Sequence, residues 1–132
     1  MSAEFTDKKI KILVCEADTR VLKRLELWIK AMGNEPISTD DGIMAKRLFE
    51  DHKPDVLLIS QNINNIGAIE FIEHIKNSNP FQIVVFMLNS DVETSIFKQS
   101  IELNVDRYLN KPVDAQALFN TIDFFLKFYY NK

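Results

Sequence analysis

Pro54-Asp55-Val56-Leu57-Leu58-Ile59-Ser60 decides the fold of this chain. Four apolar residues run without interruption between a proline and a polar exit. A strand with one wet face would alternate, so a continuous run needs cover on both faces. That is the pattern of a strand in the middle of a parallel sheet. Pro54 closes the helical stretch before it, because a proline disfavours helix in the residue it follows.

Working outward, similar short β-rich runs occur at Ile10–Cys15, Glu35–Ser38, Ile83–Leu88 and Arg107–Leu109. Between them the apolar spacing is helical. Val21, Leu25, Trp28, Ile29 and Met32 form one stripe, and Ala45, Leu48 and Phe49 another. Ala68, Phe71, Ile72 and Ile75 fall at i, i+3, i+4 and i+7. From Asp114 onward, Ala115, Leu118, Phe119, Ile122, Leu126 and Tyr129 share a face. Asp18 and Asp114 stand where an N-cap is wanted. Gly33 and Asn104 stand where a helix ends in a left-handed residue. Five strands alternating with five helices imply right-handed βαβ crossovers. The expected class is α/β, a three-layer, doubly wound five-stranded parallel sheet.

Composition sets the outer limits. The 132 residues are 46% apolar and 27% charged, with a net charge of −3. That fits one domain with a sizeable core, expected at residues 10–130 behind a tail at 1–9. Lys and Arg are mixed with Asp and Glu, so the basic stripe of a nucleic-acid binder is missing. No apolar run nears the ~20 residues of a transmembrane helix, and the N-terminus lacks the apolar segment of a signal peptide. One cysteine, Cys15, excludes an internal disulfide and reads as a small buried hydrophobe. The expectation is a soluble cytoplasmic domain with no nucleic-acid or membrane partner.

Such sheets bind ligands beyond the carboxyl ends of their strands, at the switch in strand order. The residues to interrogate are therefore Glu16-Ala17-Asp18, Ser60-Gln61-Asn62, Asn89-Ser90-Asp91 and Lys111-Pro112. His52 and His74 fall far from these ends and have no second ligand at metal spacing. Three glycines form no phosphate loop, and Gly-x-Ser-x-Gly is absent around Ser60. A flavodoxin-type cofactor binder is disfavoured on the same ground, and no cofactor is expected.

Taken in order, these strand ends resemble the receiver domain of two-component response regulators, over roughly Lys11 to Lys127. Ile12-Leu13-Val14-Cys15-Glu16-Ala17-Asp18 is similar to the first strand and acidic pair. Pro54 to Ser60 is similar to the strand that ends in the phosphoacceptor aspartate. Phe86-Met87-Leu88-Asn89-Ser90 matches the strand ending in Ser/Thr, and Arg107-Tyr108-Leu109-Asn110-Lys111-Pro112 the one ending in Lys-Pro. The resemblance implies a flavodoxin-like topology, a cis Lys111–Pro112 bond and a switch aromatic at Tyr108. The departures fall on chemistry: Ala17 replaces the second acid, Ser60 the acceptor, and Asn89 the hydroxyl residue.

Phosphoryl transfer to a carboxylate needs the nucleophile, a metal that neutralises the moving oxygens, and a fixed cation. Ser60 is a weak nucleophile without an adjacent base. Of the carboxylates implied for Mg²⁺, only Glu16 remains as a weak candidate, and Asp18 reads as a helix cap; no metal site is expected. The degenerate pocket is thus Glu16, Ala17, Asp18, Ser60, Asn62, Asn89, Lys111 and Pro112. An ammonium without a partner is costly where it is partly buried. Lys111 is expected within ~4 Å of Glu16, with Asn89 or Ser60 oxygens as secondary partners; the alternative is a plain structural tether. Tyr108 is read as locked in one state, or as an ordinary strand-edge aromatic.

Phe124 and Phe128, at i and i+4, leave the core stripe of the last helix and read as an exposed apolar patch. They are the expected interface, to a signalling protein, a fused output domain or a second copy, unless they fold back onto the domain. The expected function is non-enzymatic: a receiver in two-component signalling that acts by protein–protein contact without phosphorylation. The alternative is a receiver that still takes a phosphoryl group from a histidine kinase on a nonstandard residue.

Overall fold

The computed structural model describes residues 9–78, 83–90 and 95–130, with side chains through Phe128. The expectations for the tail, for Asp91 and for the Tyr129 side chain lie outside the described residues. The strands are β1 (Lys11–Cys15), β2 (Glu35–Thr39), β3 (Val56–Ser60), β4 (Val84–Asn89) and β5 (Arg107–Asn110). The helices are α1 (Thr19–Ala31), α2 (Gly42–His52), α3 (Ala68–Ser78), α4 (Ser95–Glu102) and α5 (Ala115–Tyr130). All four strand pairs are parallel, in the order β2-β1-β3-β4-β5. The expected α/β class and flavodoxin-like topology are what the chain adopts. Ile10 and Ile83 fall just before their strands, while Thr39, Asn89 and Asn110 extend theirs.

β3 behaves as its sequence requires, with all five residues buried. Val56 and Leu58 face one core with Leu25 and Ile29 of α1 and Leu118 and Ile122 of α5. Leu57 and Ile59 face the other, with Ala45 of α2 and Phe71, Ile72 and Ile75 of α3. Side chains alternate across a strand, so one apolar run feeds both cores. The order changes direction between β1 and β3, which sets Glu16 and Ser60 beside the switch point.

Helix ends follow local chemistry. The Asp18 side chain accepts from Arg20 N (3.0 Å) and Val21 N (3.4 Å), and Asp114 accepts from Ala117 N (3.0 Å). Asp41, which pattern reading passed over, caps α2 through Ile43 N at 2.7 Å. Gly33 and Asn104 sit at φ 87° and 58°, as expected of helix stops. Lys53 also takes positive φ, at 49°.

One core assignment is corrected. Phe119 is 43% exposed, and Phe125 takes its place, its ring 5.0 Å from Phe86 in an edge-on arrangement. The stripe of α5 that meets the sheet is Leu118, Ile122 and Phe125, at i, i+4 and i+7. Phe119 lies about 100° round the helix from Leu118 and so faces outward.

Candidate functional site at the carboxyl edge of the sheet

Glu16 leaves β1 fully buried, held by its backbone N–H to Thr39 O at 3.1 Å. One carboxylate oxygen, Oε2, accepts from Asp18 N at 2.9 Å. The other, Oε1, lies 2.6 Å from Lys111 Nζ. The Lys111 ammonium also donates to Ser60 Oγ at 2.9 Å. Ser60 Oγ accepts a second bond, from Asn62 N at 3.1 Å, so both of its lone pairs are occupied. A buried carboxylate, a cation and a hydroxyl thus form a closed chain across β1, β3 and the start of the β5–α5 loop.

Asn89 departs from expectation. It is buried at the end of β4, yet its Oδ1 accepts from Gln61 Nε2 at 3.0 Å and not from Lys111. Its backbone carbonyl does meet that residue, accepting from Lys111 N at 2.7 Å. Asn89 Nδ2 is buried without a hydrogen-bond partner. Gln61, which pattern reading placed at this edge without giving it a role, is the partner. Its Oε1 accepts from Ser90 N (3.4 Å) and Ser90 Oγ (3.3 Å), so one amide ties the exits of β3 and β4 together.

The remaining expected residues take lesser parts. Asn62 contributes backbone only: its side chain is exposed, while its carbonyl accepts from Ala17 N at 3.0 Å. Ala17 adds no side-chain oxygen, and Asp18 is exposed as the cap of α1. The Lys111–Pro112 bond is cis. Tyr108 is half-buried, its hydroxyl 2.8 Å from Ser100 Oγ and its ring 5.0 Å from Phe97. Ser100 gives its one proton to Phe97 O at 2.6 Å, so Tyr108 is the donor in that pair.

The loop after β3 is pinned as well. Gly42 N donates to Asn64 O (2.8 Å) and Asn64 N to Asp40 O (3.0 Å). A Cβ on Gly42 would stand 2.6 Å from Ile66 Cβ and 2.9 Å from Ile66 O, so glycine is what lets the two loops meet. Asn65 sits at φ 72° beside Asp41, whose carboxyl it holds below the usual range through a side-chain hydrogen bond. Burial pushes the Cys15 thiol up, far from thiolate character.

A divalent cation such as Mg²⁺ takes near-octahedral oxygens, usually with one or two carboxylates from protein. Here the buried carboxylate at the strand ends already holds an ammonium and a backbone N–H. No group of three or more His, Cys, Asp or Glu side chains gathers among the described residues. The donor set does not fit the ion. What remains is an internally neutralised polar centre.

On α5 the rings of Phe124 and Phe128 are 52% and 51% exposed and stack at 6.2 Å with 10° between planes. The Arg107 guanidinium lies 5.4 Å from the centre of the Phe124 ring. Among the described residues no helix is long and apolar enough to cross a membrane.

The profile of the family described as "Response regulator receiver domain" matches residues 12–123. A cyclic di-GMP phosphodiesterase of Thermotoga maritima is 29% identical over 107 residues, covering 81% of this chain and 28% of that protein. The transcriptional regulatory protein YdfI of Bacillus subtilis is 27% identical over 115 residues, 86% of this chain and 53% of that protein. The chain therefore spans about a quarter to a half of these curated relatives. Among solved structures, the N-terminal domain of an uncharacterized protein from Wolinella succinogenes has a TM-score of 0.82 at 31% identity. That match covers 88% of this chain and 93% of the other. A CheY-like receiver domain protein from Methanospirillum hungatei shares the fold, with a TM-score of 0.83 at 18% identity over 91% and 95% of the two chains. With its strand order and this profile in agreement, the chain belongs to the response regulator receiver domain family.

Proposed function

We propose that this receiver works by protein–protein contact and not by phosphotransfer. One observation carries the reading: Lys111 Nζ is held between Glu16 Oε1 at 2.6 Å and Ser60 Oγ at 2.9 Å. In the receivers it resembles, that lysine faces an aspartate that takes the phosphoryl group. Ser60 is fully buried with both lone pairs occupied, which leaves its oxygen nothing to attack with. Gln61 and Ser100 hold Asn89 and Tyr108 by side-chain hydrogen bonds, which favours one resting state over a switch.

The contact surface in this reading is α5, with Phe124, Phe128 and Arg107 at its centre. Exposed phenylalanines beside an arginine match the residue types enriched in protein–protein interfaces. The partner is a signalling protein or an output domain on the same polypeptide; relatives that include a phosphodiesterase and a transcriptional regulator support the latter. A homodimer through the same face is the other form. The domain at residues 10–130 is itself no enzyme, and its setting is the cytoplasm.

Incubation with acetyl phosphate and Mg²⁺, followed by intact-mass measurement, tests the catalytic half. The mass should not change; gain of one phosphoryl group would establish the alternative, acceptance on a nonstandard residue. For the surface, Phe124→Asp/Phe128→Asp should alter the sedimentation coefficient or the set of partners retained. If both are unchanged, α5 is not the interface.

A further inference from the structure

Outside the Glu16–Lys111–Ser60 centre, a cavity of about 300 Å³ opens between α1 and the β5–α5 loop. Its walls are apolar: Val21, Leu25 and Trp28 from α1 and Val113 from the loop. The volume stands at the lower end of the range for small-molecule pockets. Two cations line it, and they differ in availability. Lys111 already holds Glu16 and Ser60. Arg24 is exposed, and its guanidinium makes no ion pair or hydrogen bond among the described residues.

The charge around this cavity runs against that of the whole protein. The chain carries −3. Both charged residues that line the cavity, Arg24 and Lys111, are cations, and helix α1 carries Arg20, Lys23, Arg24 and Lys30 against Glu26, with Asp18 as its N-cap. A dry wall with an unpaired guanidinium suits a ligand that is apolar along its length and anionic at one end. Arginine is matched to carboxylate by its planar fork of donors. We propose that the cavity binds a free organic carboxylate with an apolar body, its head on Arg24 and its chain or ring against Trp28. Lys111 also lines the cavity, so an occupant would sit close to the residue that closes the strand-end centre. The site does not depend on whether Ser60 accepts a phosphoryl group.

Trp28 is the sole tryptophan and lines the cavity, so its emission reads occupancy without a label. The probe is decanoate, kept below micelle formation, added to the full chain. The expected result is a saturable change in emission, with low-millimolar or tighter affinity. Loss of the charged hydrogen bonds in Arg24→Gln should weaken it about tenfold, whereas Arg47→Gln, on the exposed side of α2, should leave the titration unchanged. Decanol, with the same tail and no charge, should bind more weakly than decanoate. Absence of a saturable response, or equal affinity in Arg24→Gln with unchanged circular dichroism, would overturn the proposal. A response to phosphatidylglycerol vesicles but not to free decanoate would also overturn it, by making the basic helix a membrane contact.

Discussion

Replacing Lys111 with Met is the sharpest perturbation of the strand-end centre. Methionine keeps the apolar stem and removes only the ammonium. Glu16 is fully buried and would be left with one neutral donor, Asp18 N, on its Oε2. Ser60 Oγ would lose one of its two bonds. Breaking a buried ion pair from one side costs about 3–5 kcal/mol. The Lys111 side chain is 17% exposed, which admits some solvent and favours the lower end, about 3 kcal/mol. For a domain of this size about 1 kcal/mol corresponds to ~4 °C, so Tm should fall by about 12 °C. Urea unfolding of the wild type, Lys111→Met, Glu16→Gln and the double variant closes a mutant cycle. Removing both charges should restore much of the loss, since a neutral pair leaves no orphaned charge. A cost under ~1 kcal/mol for Lys111→Met, or strict additivity in the cycle, would refute the reasoning.

Further outcomes follow from other parts of the fold. Gly42→Ala would press a methyl group into the Ile66 backbone, and thermal unfolding should show a loss of about 1–3 kcal/mol. Cys15 is buried with its thiol pKa raised, so iodoacetamide at mildly alkaline pH should modify the urea-unfolded chain and spare the native one. The Asp41 carboxyl is lowered first by the Asn65 side chain, then by the Ile43 and Met44 backbones. Its stabilisation is therefore present above the ordinary carboxylate range and lost as pH falls through the folded value. Asp41→Asn keeps a capping oxygen but removes the titration, so its urea midpoint should fall less on acidification than that of the wild type.

What was legible in the sequence is what depends on local pattern. The unbroken Val56–Ile59 run announced a central parallel strand, and Asp18, Asp114, Gly33 and Asn104 marked helix ends by chemistry that acts within a few residues. The order of strand ends brought Glu16, Ser60 and Lys111 together, because topology alone juxtaposes them. Contacts set by three-dimensional packing were not legible. Phe119 and Phe125 are both one turn from core positions, and only the placement of Phe86 on β4 selects Phe125. Gln61 looked like loop polarity because its partner, Asn89, is 28 residues away on another strand. Gly42 gave no signal, since the need for glycine comes from Ile66 on a distant loop.

The central claim is that Lys111 closes this receiver where a phosphoryl group would otherwise sit. Amide NMR spectra recorded with Mg²⁺ and beryllofluoride, which mimics a phosphoryl group on an acceptor carboxylate, test it most directly. The account predicts unchanged resonances for Ser60, Asn89 and Lys111 across the titration. Saturable shifts at those three residues would contradict it.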